Sequence, residues 1–133
     1  MSTFAARLLR YLWALPNTLL GLGLGLIALA LGGRARIVGG VLEIHGGLAA
    51  RALAPRAGKR GFCAITFGHV VLGLNRKTLA SVRRHERVHV RQYERWGPLF
   101  LPAYAASSAW QLLRGRRAYR DNAFEREAYE AEA

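Results

Sequence analysis

Thr78-Leu79-Ala80-Ser81-Val82-Arg83-Arg84-His85-Glu86-Arg87-Val88-His89-Val90-Arg91-Gln92-Tyr93-Glu94-Arg95-Trp96 is the stretch on which the reading of this chain turns. Leu79, Val82, Glu86, His89, Tyr93 and Trp96 recur at spacings of three and four, so they form one stripe of a helix, and His85 borders it. Arginines 83, 84, 87, 91 and 95 take the other faces. The spacing predicts a helix from about 78 to 96, ended by Gly97-Pro98. Within it, His85-Glu86-Arg87-Val88-His89 is an H-E-x-x-H. On a helix the two imidazoles share a face and can grip one zinc ion, with the glutamate beside them aimed at a water on the metal. The competing reading makes His85 and His89 ordinary helix histidines and pairs Glu86 with an arginine. Arg87, a charge between the glutamate and the second histidine, favours that reading.

Working outward, residues 34 to 74 have strand character. Ile37 to Gly47 reads as a short strand or hairpin bounded by glycines, and Phe62 to Leu74 as a second strand pair. Between them, Ala49 to Lys59 reads as a loop. Downstream, Trp96 to Leu113 is uncharged for 18 residues, but its two prolines and two serines argue against a membrane crossing. Asp121 to Glu130 reads as a short helix capped by Asp121 or Asn122.

Tyr11 to Gly33 is an uncharged run of 23 residues. It has the length of a membrane span, with Tyr11 and Trp13 at one end where interfacial aromatics are expected. A cleaved signal peptide ending near Ala28-Leu29-Ala30 is the rival, and the length of the run favours a retained anchor. The net charge is +12, carried almost wholly by arginine, and suits acidic lipid headgroups. No nucleic acid is expected: the arginines are dispersed and no recognition motif is present. Residues 34 to 95 carry 13 positive side chains and the tail five more, which places everything after the anchor on the cytoplasmic side. With one cysteine, Cys63, there is no intrachain disulfide and no cysteine-based zinc site.

Beyond the pentapeptide, the chain continues Val90-Arg91-Gln92-Tyr93-Glu94-Arg95-Trp96-Gly97, then a proline-containing apolar stretch, then Asn122-Ala123-Phe124-Glu125-Arg126-Glu127-Ala128-Tyr129. In this it resembles small bacterial membrane proteins with a gluzincin-like zinc metallopeptidase motif, over roughly residues 62 to 130. The resemblance implies an α+β fold: an N-terminal transmembrane helix (1–33), then a small zincin-like domain (34–133) of a short β-sheet, the H-E-x-x-H helix, an apolar helix and a glutamate-bearing C-terminal helix. It implies zinc as cofactor, His85, His89 and Glu125 as metal ligands, with Glu127 the rival third ligand, and Glu86 as the catalytic general base. It further implies an edge strand within Thr66 to Gly73 for an extended peptide, and a bacterial cytoplasmic membrane as the location. Tyr129 replaces an aspartate frequent in the gluzincin pattern. His69, Tyr93 and Tyr104 are candidate donors to an oxyanion. The expected function is hydrolysis of peptide bonds in a peptide or protein substrate; the alternative is a non-hydrolytic membrane protein that keeps the scaffold, with or without structural zinc. If tail and motif share one ion, residues 96–113 do not cross the bilayer: they re-enter, lie at the interface or pack into the domain.

Overall fold

The computed structural model describes residues 3–53 and 64–132. Their elements are α1 (Thr3–Ala30), β1 (Arg34–Val38), β2 (Val41–His45), α2 (Gly47–Leu53), β3 (Ala64–Phe67), β4 (Val70–Gly73), α3 (Arg76–Trp96), a 3-10 turn (Gly97–Leu99), α4 (Phe100–Leu113) and α5 (Ala123–Glu132). The fold is α+β, as the sequence indicates. Two hairpins form where the glycine-bounded runs lie, and α3 covers the predicted motif helix. One expectation fails in part: Gly47 to Leu53 is helical, where a loop was expected from Ala49. Its residues from Leu48 to Leu53 include no proline and no glycine, so nothing local breaks a helix there. The remainder of that expected loop, together with Phe62 and Cys63, lies outside the described residues.

The sheet has the order β1-β2-β4-β3. The hairpins β1–β2 and β3–β4 are antiparallel, and the central β2–β4 pair that joins them is parallel. In this register Val41, Glu43, Val71 and Thr66 share one face, while Ile44, Val70 and Phe67 share the other. The first face meets α3: Val41 and Val71 pack on Leu79 and Val90, and Glu43 is gripped by Arg83 Nε and Nη2, each at 2.9 Å. The second face meets α1. A Cβ on Gly21 would lie 2.8 Å from Val70 Cβ, and one on Gly25 would strike the end of Ile44. The sheet is thus the middle layer between α1 and α3.

Helix α1 is long and apolar enough to cross a membrane. Its buried residues are Ala14, Asn17, Gly21 and Gly25, small or polar side chains at spacings of three and four. Small side chains allow the close approach. Asn17 Nδ2 donates to Gly97 O at 2.9 Å, and Trp13 Nε1 to Arg95 O at 3.2 Å. Tyr11 OH donates to Gly40 O at 2.6 Å. Tyr11 and Trp13 therefore serve as docking contacts. The junction between residues 1–33 and 34–133 is a tight turn, in which Gly33 N donates to Ala28 O at 2.8 Å.

Helix α3 begins at Asn75, whose side chain accepts from Thr78 N at 2.7 Å. It stops at Gly97, with φ +56°, where the Trp13 ring lies directly against the Cα. A side chain is excluded there twice over, by the backbone angle and by the ring. Residues 96–113 form the turn and α4, which pack back onto α3, α5 and α1. This corresponds to the packed member of the three arrangements considered above. α5 is capped by Asn122, whose Oδ1 accepts from Phe124 N at 2.9 Å. Asn122 is fully buried, and its Nδ2 ties this start of α5 to α4 through Tyr104 O and Ser108 Oγ, at 3.0 and 2.8 Å.

Candidate metal centre

His85 and His89 emerge one turn apart on the buried face of α3, and Glu125 reaches them from the first turn of α5. All three are buried. Glu125 Oε1 lies 3.0 Å from His85 Nε2 and 3.1 Å from His89 Nε2, and the two nitrogens are 3.3 Å apart. Ligand atoms about 2.0–2.2 Å from a tetrahedral zinc are about 3.3–3.6 Å from one another. The observed triangle is within a few tenths of an ångström of that size, so these three side chains could hold a metal ion.

The protonation pattern points the same way. Gln92, fully buried, uses its Nε2 to donate to Phe124 O at 3.0 Å and to Glu127 Oε1 at 2.6 Å. Its Oε1 is thereby turned to His89 Nδ1 at 2.8 Å, which must carry the proton. A neutral His89 then aims the Nε2 lone pair at the carboxylate. Two lone pairs facing each other at 3.1 Å repel unless a cation or proton lies between them. A proton on the histidine Nε2 atoms would serve as that partner: burial opposes the charge on Glu125, yet hydrogen bonds from His85 and His89 so protonated, the charge on His89 and the hydrogen bond from Tyr104 outweigh it and bring the carboxyl down to about 2. Burial also acts against a charged His89, but the Glu125 carboxylate outweighs it and raises the imidazole above its usual value. The Glu125 carboxylate thus favours a proton or cation on the His89 side.

Glu127 stands apart from this cluster. It accepts from Gln92 and lies 3.8 Å from Arg95, and it is partly exposed. Its contribution runs through Gln92 to His89. Tyr104 OH donates to the second oxygen of Glu125 at 2.7 Å, which fixes the carboxylate plane. Tyr129 packs its ring edge-on to His85, with centroids 4.6 Å apart. Tyr129 thus forms an aromatic wall beside His85.

Glu86 is buried beside the cluster, and Thr66 Oγ1 of β3 donates to its Oε2 at 2.6 Å. Burial pushes its carboxyl above the usual range, against the pull of His89 and Thr66. Arg87, the charge inside the motif, turns away from the site. Its Nη2 donates to Val38 O at 2.8 Å and to Glu43 Oε2 at 3.1 Å, on the sheet side of α3. The bland pairing of Glu86 with an arginine therefore has no counterpart among the described contacts; the arginine partner in this region is Glu43.

A cleft of about 270 Å³ opens onto Glu86, His89 and Glu125. Ala64 to Phe67 of β3 form one side and Tyr93, Phe100 and Tyr104 another. Among the described residues β3 is an edge strand and β4 is interior, so only the first half of the Thr66–Gly73 segment lies at an edge. Of the oxyanion candidates, Tyr104 and Tyr93 line the cleft, although Tyr93 OH is used by Thr66 O at 2.8 Å. His69 does not line it: it bonds Glu94 at 2.7 Å and stacks on Tyr11 at 3.9 Å. Sequence reasoning did not single out Gln92 and Thr66. The position of Gln92, three after His89, was a usable signal, while Thr66 depends on a long-range strand placement. Comparison with family models, curated proteins and solved structures returns no match.

Proposed function

We propose that this chain is a membrane-bound zinc metallopeptidase whose metal is held by His85, His89 and Glu125. The observation that carries the reading is the buried nitrogen–nitrogen–oxygen triangle of ligand size, with Glu86 beside it and a cleft leading in. Two imidazoles and one carboxylate form a ligand set used by hydrolytic zinc, and three protein ligands leave a further coordination position. When bound, zinc supplies Lewis acidity to water and to a scissile carbonyl.

The remaining work falls to the chain's own groups. Glu86 accepts the proton of the attacking water and returns it to the departing amine, with its carboxylate plane set by Thr66. Its burial, which raises the affinity for a proton, suits that role. Tyr104, held at Glu125, lines the cleft together with β3. Among the described residues β3 is an edge strand, and its outward main-chain groups other than Thr66 O, which Tyr93 takes, offer hydrogen bonds to an extended peptide; the apolar walls favour uncharged side chains.

The test is Glu86→Gln. The amide keeps the shape and the Thr66 contact but takes no proton at neutral pH. We expect full zinc content and at least a ~100-fold loss of turnover on a pool of quenched fluorescent peptides. Equal turnover in the variant would remove Glu86 as base. Zinc-loaded wild type inert on every peptide and on membrane-protein extracts would favour the non-hydrolytic scaffold.

A further inference from the structure

The outward face of α1 is an apolar surface that the proposed chemistry leaves unused. Leu8, Leu9, Leu12, Leu19, Leu26 and Ile27 lie on it, from 48% to 67% exposed. The opposite stripe runs Arg7, Arg10, Ala14, Asn17, Gly21, Gly25 at spacings of three and four. Its last four members are docked on the protein, and its first two are exposed charges. The helix therefore divides lengthwise. One side is protein contact and charge; the other is apolar from end to end.

Length and composition suit a crossing of the bilayer, but the docking does not. Gly21, near the middle of the uncharged run, sits on Val70 and Phe67 of the sheet. A crossing helix would carry that sheet into the hydrocarbon. Among the described residues β1 and β3 are the outer strands, and acyl chains could not satisfy their outward N–H and C=O groups, Thr66 O apart, at several kcal/mol each. The Glu43–Arg83–Arg87 cluster and the exposed Arg84 and Arg91 would follow. A helix docked in this way cannot also span.

We propose that α1 lies in the plane of an anionic membrane, its Leu8–Leu12–Leu19–Leu26 face among the acyl chains and the domain on the water side. Charge complements this placement. Arg7 and Arg10 sit on the water-side stripe at one end of the helix, and exposed Arg34 and Arg36 follow the other, so both ends meet headgroups. This extends the functional reading and does not depend on hydrolysis: the cleft would open at the surface of a bilayer on which the whole domain rests.

Spin labels at positions 8, 12, 19 and 26, each in a Cys63→Ser background, test this in vesicles of phosphatidylcholine and phosphatidylglycerol. Depth is read from relaxation by oxygen and by a water-soluble nickel chelate. All four labels should lie at one shallow depth, about 5–10 Å below the headgroups. In a crossing helix positions 8 and 26 would be about 27 Å apart along the axis, with the midplane between them. A depth profile passing through the midplane overturns the proposal. So does water-level or protein-shielded accessibility at all four labels. Flotation with vesicles lacking phosphatidylglycerol should fall at least tenfold; unchanged flotation would overturn the requirement for anionic lipid.

Discussion

Gln92 illustrates how one side chain outside the motif controls a site within it. By committing both N–H groups to α5, it leaves only an acceptor for His89, so the imidazole presents a lone pair to the cluster. Gln92→Leu is expected to weaken zinc binding about 10–100-fold with helix content unchanged by circular dichroism. Glu127→Gln, which keeps an acceptor for Gln92, should leave affinity within about threefold in the same competition titration, since orienting effects of this kind are felt through the ligand rather than at the metal. At a distance from the metal, the hydrogen bond from Arg83 holds the Glu43 carboxyl below its ordinary 4.5, against the effect of burial. A carboxyl lowered in the folded state contributes stability that is complete above its unfolded value and is lost as pH falls through the folded one. The melting temperature of wild type should therefore exceed that of Glu43→Gln at pH 7, and the gap should close as pH falls below about 4.5. A gap that does not change with pH would show that Glu43 acts by shape rather than charge.

At the scale of elements, α1 and α3 clasp one sheet, and glycines report how tightly. Gly21 faces Val70 and the Phe67 carbonyl at under 3 Å from a notional Cβ, whereas Gly23 faces nothing within 4 Å. Gly21→Ala should cost about 1–3 kcal/mol by overpacking. Gly23→Ala should gain up to about 1 kcal/mol from helix propensity. Thermal melts of the two variants in the same detergent give the comparison, and similar melting temperatures would contradict the docking of α1. Much of this layer was legible in advance. The glycine-bounded strand runs, the α3 stripe and the tail helix are local patterns with local causes. The parallel β2–β4 pairing was not, because it joins runs separated by more than 20 residues and no local residue encodes it. The role of α1 was half legible. Its glycines at 21, 23 and 25 read as tolerable in a membrane, yet Ala14, Asn17, Gly21 and Gly25 form a stripe suited to close packing. Arg87 argued against a metal site as a charge inside the motif; in the fold it turns to Glu43, a strand residue 44 positions away that no local pattern points to.

Over the whole molecule, the candidate centre is closed by chain segments that fold from far apart: α3 supplies two ligands, α5 the third, β3 the contact to the base, and α4 the tie that positions α5. A metal bound only by that assembled state should stabilise it, by about 2.7 kcal/mol at 100 times the dissociation constant. A chelator should lower the melting temperature accordingly, and the lowering should vanish in His85→Ala/His89→Ala. The most direct measurement is zinc X-ray absorption on detergent-purified protein of known metal content. The account predicts about one zinc per chain, in a first shell of two imidazoles and oxygen at about 2.0–2.2 Å, lost in the double histidine variant and weakened in Glu125→Ala. Zinc retained at full stoichiometry with the same spectrum in His85→Ala/His89→Ala would contradict it.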